Sequence, residues 1–105
     1  ALNDAVEATA IRELYGTGLQ NPTVTSAKGV LGHTMGAAGA IEAALTVLTV
    51  VRGTVPPTAG FTAPDAATAG IDLVHGAARP QRVRLALSHS LGFGGHNTVL
   101  AFTAV

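Results

Sequence analysis

Apolar positions near the start of the chain recur at helical spacing, with Val6, Ala10, Ile11 and Leu14 on one side. The pattern predicts a first helix that Asn3 or Asp4 would cap and that Gly16 and Gly18 would end. Pro22 to Ser26 is short and rich in β-branched residues after the turn pair Asn21-Pro22, which suits a brief strand. Lys28 to Gly36 reads as glycine-punctuated loop, and the small residues from Gly36 to Ala40 open a helix running to about Arg52. That helix is apolar or small nearly all the way round, as expected of a segment buried inside a larger body. Its Gly/Ala run removes bulk so that a neighbouring backbone can approach, at a spacing that matches neither a P-loop nor a dinucleotide fingerprint.

Residues 53–70 carry Pro56, Pro57 and Pro64 among Gly, Thr and Ala, and predict an irregular surface crossing. Ile71 to Val74 predicts a short strand. Arg82 to Ser88 and Asn97 to Thr103 are strand-like runs around the glycine-rich turn His89 to His96, which predicts an antiparallel pair with a shaped loop. Helix, strand, helix and then two or three strands make an α/β pattern, expected as one unit over residues 1–105.

Composition sharpens this picture. The 105 residues are 48% apolar and only 11% charged, against about 25% charged in ordinary soluble domains. So few charges cannot coat an independent globule, and the chain is expected to bury much of its surface against something else. Formal charge is zero with no basic stripe, so nucleic acid and anionic membranes are not expected partners. The absence of cysteine excludes a disulfide framework, a thiolate metal site and a thiol nucleophile within these residues. The apolar stretch Ala37 to Val51 contains Glu42 and falls short of the roughly 20 residues of a bilayer span. No signal-peptide pattern opens the sequence, so a cytoplasmic location is expected.

Glu42 is a carboxylate on an otherwise apolar helix, which requires either a proton or a cationic partner. Lys28 is the cation in the adjoining loop. A Lys28–Glu42 pair would keep both groups charged in a dry site beside His33, as a structural ion pair or as a fixed field for chemistry. His33 lies between Gly32 and the small-residue helix start, where an imidazole meets little steric cover and suits a structural or a catalytic role. His75, His89 and His96 fit no short-range zinc spacing, so no metal site is expected. Gly92-Phe93-Gly94-Gly95 would let backbone N–H groups approach a ligand as in an oxyanion hole, or simply close a tight hairpin. Ser88-His89-Ser90 does not make a serine hydrolase, because strand neighbours point to opposite faces and no nucleophile elbow surrounds them.

Taken together, Ser26-Ala-Lys28-Gly-Val-Leu-Gly32-His33-Thr-Met-Gly36-Ala-Ala-Gly39-Ala-Ile-Glu42 and Leu91-Gly-Phe-Gly-Gly95-His-Asn97 resemble the β-ketoacyl-acyl carrier protein synthases of type II fatty acid and polyketide synthesis. The resemblance runs from Leu2 to Phe102 and covers the last quarter or so of such an enzyme. It implies a thiolase-like fold, of which this segment would be most of the C-terminal α/β half. It also implies a decarboxylative Claisen condensation, in which a cysteine takes an acyl group and malonyl-carrier supplies the attacking carbanion. By that likeness His33 is the second catalytic histidine, which stabilises the enolate. Lys28 is the active-site lysine and Glu42 its carboxylate partner. Asp4 and Glu7, three apart on one helix face, match an acidic pair that helps order the site. The Leu91 backbone amide matches an oxyanion-hole donor, and Leu91 with Phe93 lies at the gate of the acyl pocket.

The sequence departs from the family at two of these positions, with leucine at 91 where phenylalanine is usual and His89 where asparagine is usual. The backbone amide role survives any side chain, whereas gating and chain-length preference depend on it. The nucleophilic cysteine and the first catalytic histidine of the family have no counterpart in these residues, so the segment alone is expected to be inactive. The implied partners are the rest of the synthase, a second subunit in a homodimer or heterodimer, and acyl carrier protein with phosphopantetheine-linked acyl and malonyl groups. No cofactor is implied. Two other readings stand beside this one: a non-catalytic condensing-enzyme subunit that dimerises with an active one, and a thiolase-like enzyme using coenzyme A thioesters.

Overall fold

The structure, a computed structural model, describes residues 2–16 and 21–105. Helix α1 (Leu2–Tyr15) leads to β1 (Thr23–Val24), the single-turn helix α2 (Lys28–Leu31) and, after a 3-10 turn at Met35–Ala37, to α3 (Ala38–Arg52). Five strands follow: β2 (Thr54–Val55), β3 (Asp72–Leu73), β4 (Arg79–Pro80), β5 (Leu85–Leu91) and β6 (Asn97–Thr103).

Asn3 and Asp4 lie inside the first turn of α1 rather than capping it, and the Asn3 side chain donates to Glu7 Oε2 at 3.0 Å. Gly16 ends the helix as expected, with φ 75° and its N–H on the Arg12 carbonyl at 2.8 Å. Gly18, the second expected stop, is outside the described residues. The anticipated apolar side of α1 is not what the fold covers, because Val6 and Leu14 are exposed and the buried residue is Ala8. The Arg12 guanidinium donates to the Ala67 and Ala69 carbonyls at 2.7 and 3.1 Å and fastens the helix to the irregular crossing.

Between α1 and α3 the expected loop contains a helical turn, α2, closed by the Gly32 N–H on the Lys28 carbonyl at 2.9 Å. Within these residues helix α3 has no buried position, so the burial expected inside a larger body is not supplied by this chain's own elements. It packs along β5 and β6 on one flank, and Val51 is 75% exposed. The Gly/Ala run is not tightly packed either. A Cβ on Gly36 would meet nothing within 4 Å, and one on Gly39 would stand 3.6 Å from Ser90 Oγ. Counting the preceding 3-10 turn, Met35–Arg52 is 18 residues at mean hydropathy 1.4, enough to cross a membrane by length and composition alone. Its α-helical part is 15 residues, about 22 Å, which is less than the ~30 Å hydrocarbon core, and it carries the Glu42 ion pair.

The strands form three pairs. β1 and β3 are parallel, with Thr23 opposite Asp72 and Val24 opposite Leu73. β2 and β4 are antiparallel, so the crossing at 53–70 begins with a strand that the proline content had concealed. Asp72 joins these two pairs: it accepts both Arg79 guanidinium N–H groups at 2.7 and 2.9 Å and the Thr23 hydroxyl at 3.0 Å. The third pair is the expected hairpin, β5 with β6, but its first strand runs from Leu85 opposite Thr103 to Leu91 opposite Asn97, so His89 to Leu91 extend the ladder where a turn was expected, while Arg82 to Arg84 precede it. Ala86, Ser88 and Ser90 are more covered than their neighbours Leu85, Leu87, His89 and Leu91, so the strand alternates faces and separates His89 from both serines. Among the described residues the buried apolar side chains are Ala8, Val55 and Val74.

Candidate functional site

The site is built on the short path from β1 to α3. A parallel ladder fixes its start, where the Val74 N–H donates to the Val24 carbonyl at 2.9 Å. The chain then turns into α2, whose first residue is Lys28, and Gly32 follows it with φ 70°. Only glycine adopts that backbone at little cost, and it turns the chain sharply before His33. Two residues later Met35 has φ 52°, a left-handed value that a side chain with a Cβ resists. The Met35 N–H there donates to His33 Nδ1 at 3.1 Å.

That hydrogen bond decides the chemistry of the imidazole. A neutral ring whose Nδ1 accepts must carry its proton on Nε2, so His33 presents an Nε2–H donor away from its own backbone. His33 is exposed, and its free face is a donor suited to an oxygen on which negative charge develops.

Lys28 and Glu42 are brought together as anticipated: the ammonium donates to Glu42 Oε1. Their surroundings are wetter than expected, because Glu42 keeps 19% of its side-chain surface while Lys28 keeps 44%. The pair nonetheless ties α2 to the first turns of α3 and holds a cation five residues before His33. β5 approaches the same end of α3, where Ser90 stands against Gly39, one turn before Glu42.

The hairpin register settles where the Leu91 amide points. The Gly92 N–H bonds the His96 carbonyl at 2.8 Å and the Ala104 N–H bonds the Arg84 carbonyl at 3.2 Å, which marks the even-numbered residues of β5 as the hydrogen-bonded partners of β6. Leu91 and Asn97 therefore form a non-hydrogen-bonded pair, and the Leu91 N–H faces the outer edge of β5. The turn beyond it is the glycine-dependent one that was expected, with φ 77° at Gly94 and 80° at Gly95. Phe93 at its tip is 99% exposed.

Asp4 and Glu7 make no hydrogen bond to Lys28, His33 or Glu42 among the described residues; Glu7 instead accepts from Asn3. A groove lined by Val50 to Gly53, Pro80 to Val83 and Ala104 lies at the far end of α3 and shares no residue with this cluster. Thr58 was missed in the sequence. Its hydroxyl accepts the Ser26 N–H at 3.1 Å, and its only signal was its place just after Pro56-Pro57.

An α/β chain with this helix, hairpin and polar loop has close structural counterparts among the condensing enzymes of the thiolase-like fold. It superposes on a β-ketoacyl synthase from Burkholderia phymatum with a TM-score of 0.87 at 35% identity, covering 96% of this chain and 24% of that one. On the ishigamide ketosynthase/chain length factor the TM-score is 0.91 at 34% identity, covering 98% and 25%. The family description "Beta-ketoacyl synthase, C-terminal domain" matches residues 1–62, and the chain belongs to that family. Among curated relatives, the 3-oxoacyl-[acyl-carrier-protein] synthase 2 of Synechocystis sp. is 43% identical over 95% of the chain and 24% of its own length. Nodulation protein E of Rhizobium sp. is 37% identical over 98% of the chain and 25% of its own length. The chain thus spans about a quarter of the length of the curated relatives it matches.

Proposed function

We propose that the full-length protein is an acyltransferase of the β-ketoacyl-acyl carrier protein synthase type, and that these residues supply the decarboxylation half of its site. The malonyl group, carried on phosphopantetheine by acyl carrier protein, would place its thioester carbonyl against His33 Nε2–H. As the bond from Cα to the carboxylate breaks, carbon dioxide leaves and the electron pair moves onto the thioester oxygen. The Nε2–H donor stabilises that enolate where its charge appears. The Lys28 ammonium, anchored by Glu42, adds a fixed positive field beside it. The enolate carbon then attacks an acyl thioester, and the outward Leu91 amide is oriented to hold the resulting oxyanion until the thiolate departs. That thiolate belongs to a cysteine outside these residues, which hold none. On their own they form no acyl-enzyme.

The observation that carries this reading is the Met35 N–H on His33 Nδ1. It makes the ring a donor rather than a base, which suits enolate stabilisation and not proton abstraction. In the full-length enzyme His33→Ala is expected to lower carbon dioxide release from malonyl-carrier about a hundredfold or more. Unchanged release would refute the assigned role. The similarity to a ketosynthase/chain length factor raises a second reading, a partner subunit that shapes the pocket of an active synthase without catalysing. The same assay separates the two, since such a subunit releases no carbon dioxide whichever residue stands at position 33.

A further inference from the structure

We propose that Thr58 is a positioning residue for the Lys28 ammonium, acting through Ser26; the inference rests on the reading of Lys28 as part of the decarboxylation site. Two links connect the two residues, and a third anchors Thr58 in the fold. The Thr58 N–H donates to the carbonyl of Val74 at 2.7 Å, and Val74 is the most deeply buried side chain described, at 2% exposure. The Thr58 hydroxyl accepts the Ser26 N–H at 3.1 Å, and the Ser26 hydroxyl accepts the Lys28 N–H at 3.3 Å. A parallel link runs beside this one, from the Thr25 hydroxyl to the Pro56 carbonyl at 2.6 Å. The anchor is therefore a rigid point of the fold, and the far end is the first residue of α2.

Steric fit points the same way. A Cβ on Gly29 would lie 2.1 Å from the carbonyl oxygen of Ala59 and 2.9 Å from its carbonyl carbon, so the backbone next to Thr58 rests directly on α2. A four-residue helix cannot hold its own orientation, because nucleation of one turn is unfavourable. What holds α2 is the segment from Pro56 to Ala59. Lys28 is 44% exposed, and a long flexible side chain at such a site keeps its direction only if its backbone is fixed at one end and its ammonium at the other. Glu42 fixes the ammonium, and Thr58 fixes the backbone.

The experiment uses the full-length enzyme and compares Thr58→Val, Thr58→Ser, Ser26→Ala and Lys28→Ala, well below their unfolding transitions. Thr58→Val preserves shape and removes the acceptor. It is expected to lower kcat for malonyl-carrier decarboxylation about tenfold with KM unchanged, as misplacement of a catalytic group does. Thr58→Ser, which keeps the acceptor, should restore kcat. Ser26→Ala breaks the next link and should reproduce the loss, so the comparison stands even if Thr58→Val does not fold. If Lys28→Ala lowers kcat while folded Thr58→Val, or Ser26→Ala in its place, leaves it at the wild-type value, the inference is overturned and the reading of the site survives. If Lys28→Ala itself leaves kcat unchanged, that reading fails and the inference fails with it.

Discussion

Single residues here act through which atom they leave free. His33 has one ring nitrogen occupied by a neighbouring backbone N–H, and the other is thereby defined as the donor. The strained Met35 backbone that makes this possible costs on the order of 1 kcal/mol, which suits a position held for chemistry. Asp72 shows the opposite use of a polar side chain, since its two oxygens are consumed by Arg79 and Thr23. The Arg79 hydrogen bonds hold the Asp72 carboxyl below its ordinary value of 3.8, against a smaller opposing push from burial. A depressed carboxylate stabilises the fold at pH values above its unfolded value, and the contribution disappears as the pH falls through the folded one. Asp72→Asn is therefore expected to lower Tm by a constant amount from neutral pH down to the ordinary carboxylate range. Below that range the two proteins should converge, and thermal unfolding followed by circular dichroism would show it. Because both side chains are 39% exposed, the gap should be small and should narrow in high salt.

At the scale of elements, the hairpin and α3 divide the work. α3 brings Glu42 to Lys28, and β5 runs up the same helix to deliver an unpaired amide at its end. Because Leu91 stands in a non-hydrogen-bonded pair, its N–H can be deleted without removing a rung of the β5–β6 ladder. Under the proposed role of its amide, Leu91→Pro in the full-length protein is expected to keep the β-sheet signal in circular dichroism while lowering condensation about a hundredfold, the usual cost of one oxyanion donor. Loss of the sheet signal together with activity would show instead that the amide serves the fold. Helix α2 is too short to be read from periodicity, which is why Lys28 to Gly36 looked like uninterrupted loop.

For the molecule as a whole, the radius of gyration is 13.4 Å, close to the ~13 Å of a compact chain of this length. Its accessible surface is 7261 Å², well above the ~5,400 Å² typical of a monomer of its mass. Large apolar side chains contribute to it: Val47, Leu48 and Val51 on α3, and Leu85, Leu87 and Val99 on the hairpin, are all exposed. Isolated, the 105-residue chain is expected to self-associate, with a sedimentation coefficient that rises with concentration. A single monomeric species at all concentrations would contradict this. The low charge content already signalled an uncovered surface, and the glycine motifs, the hairpin, α3 and the Lys28–Glu42 pair were also legible, because they depend on local spacing or on the need of a buried-side carboxylate for a cation. Tertiary structure alone decided the rest. It showed that Ala8 rather than the apolar stripe of α1 is covered, that α3 keeps open flanks, that Asp72 bridges two strand pairs, and that Thr58 seats α2. Each of these depends on which backbone atoms from distant segments come within hydrogen-bonding or van der Waals distance, and no pattern along the chain encodes that.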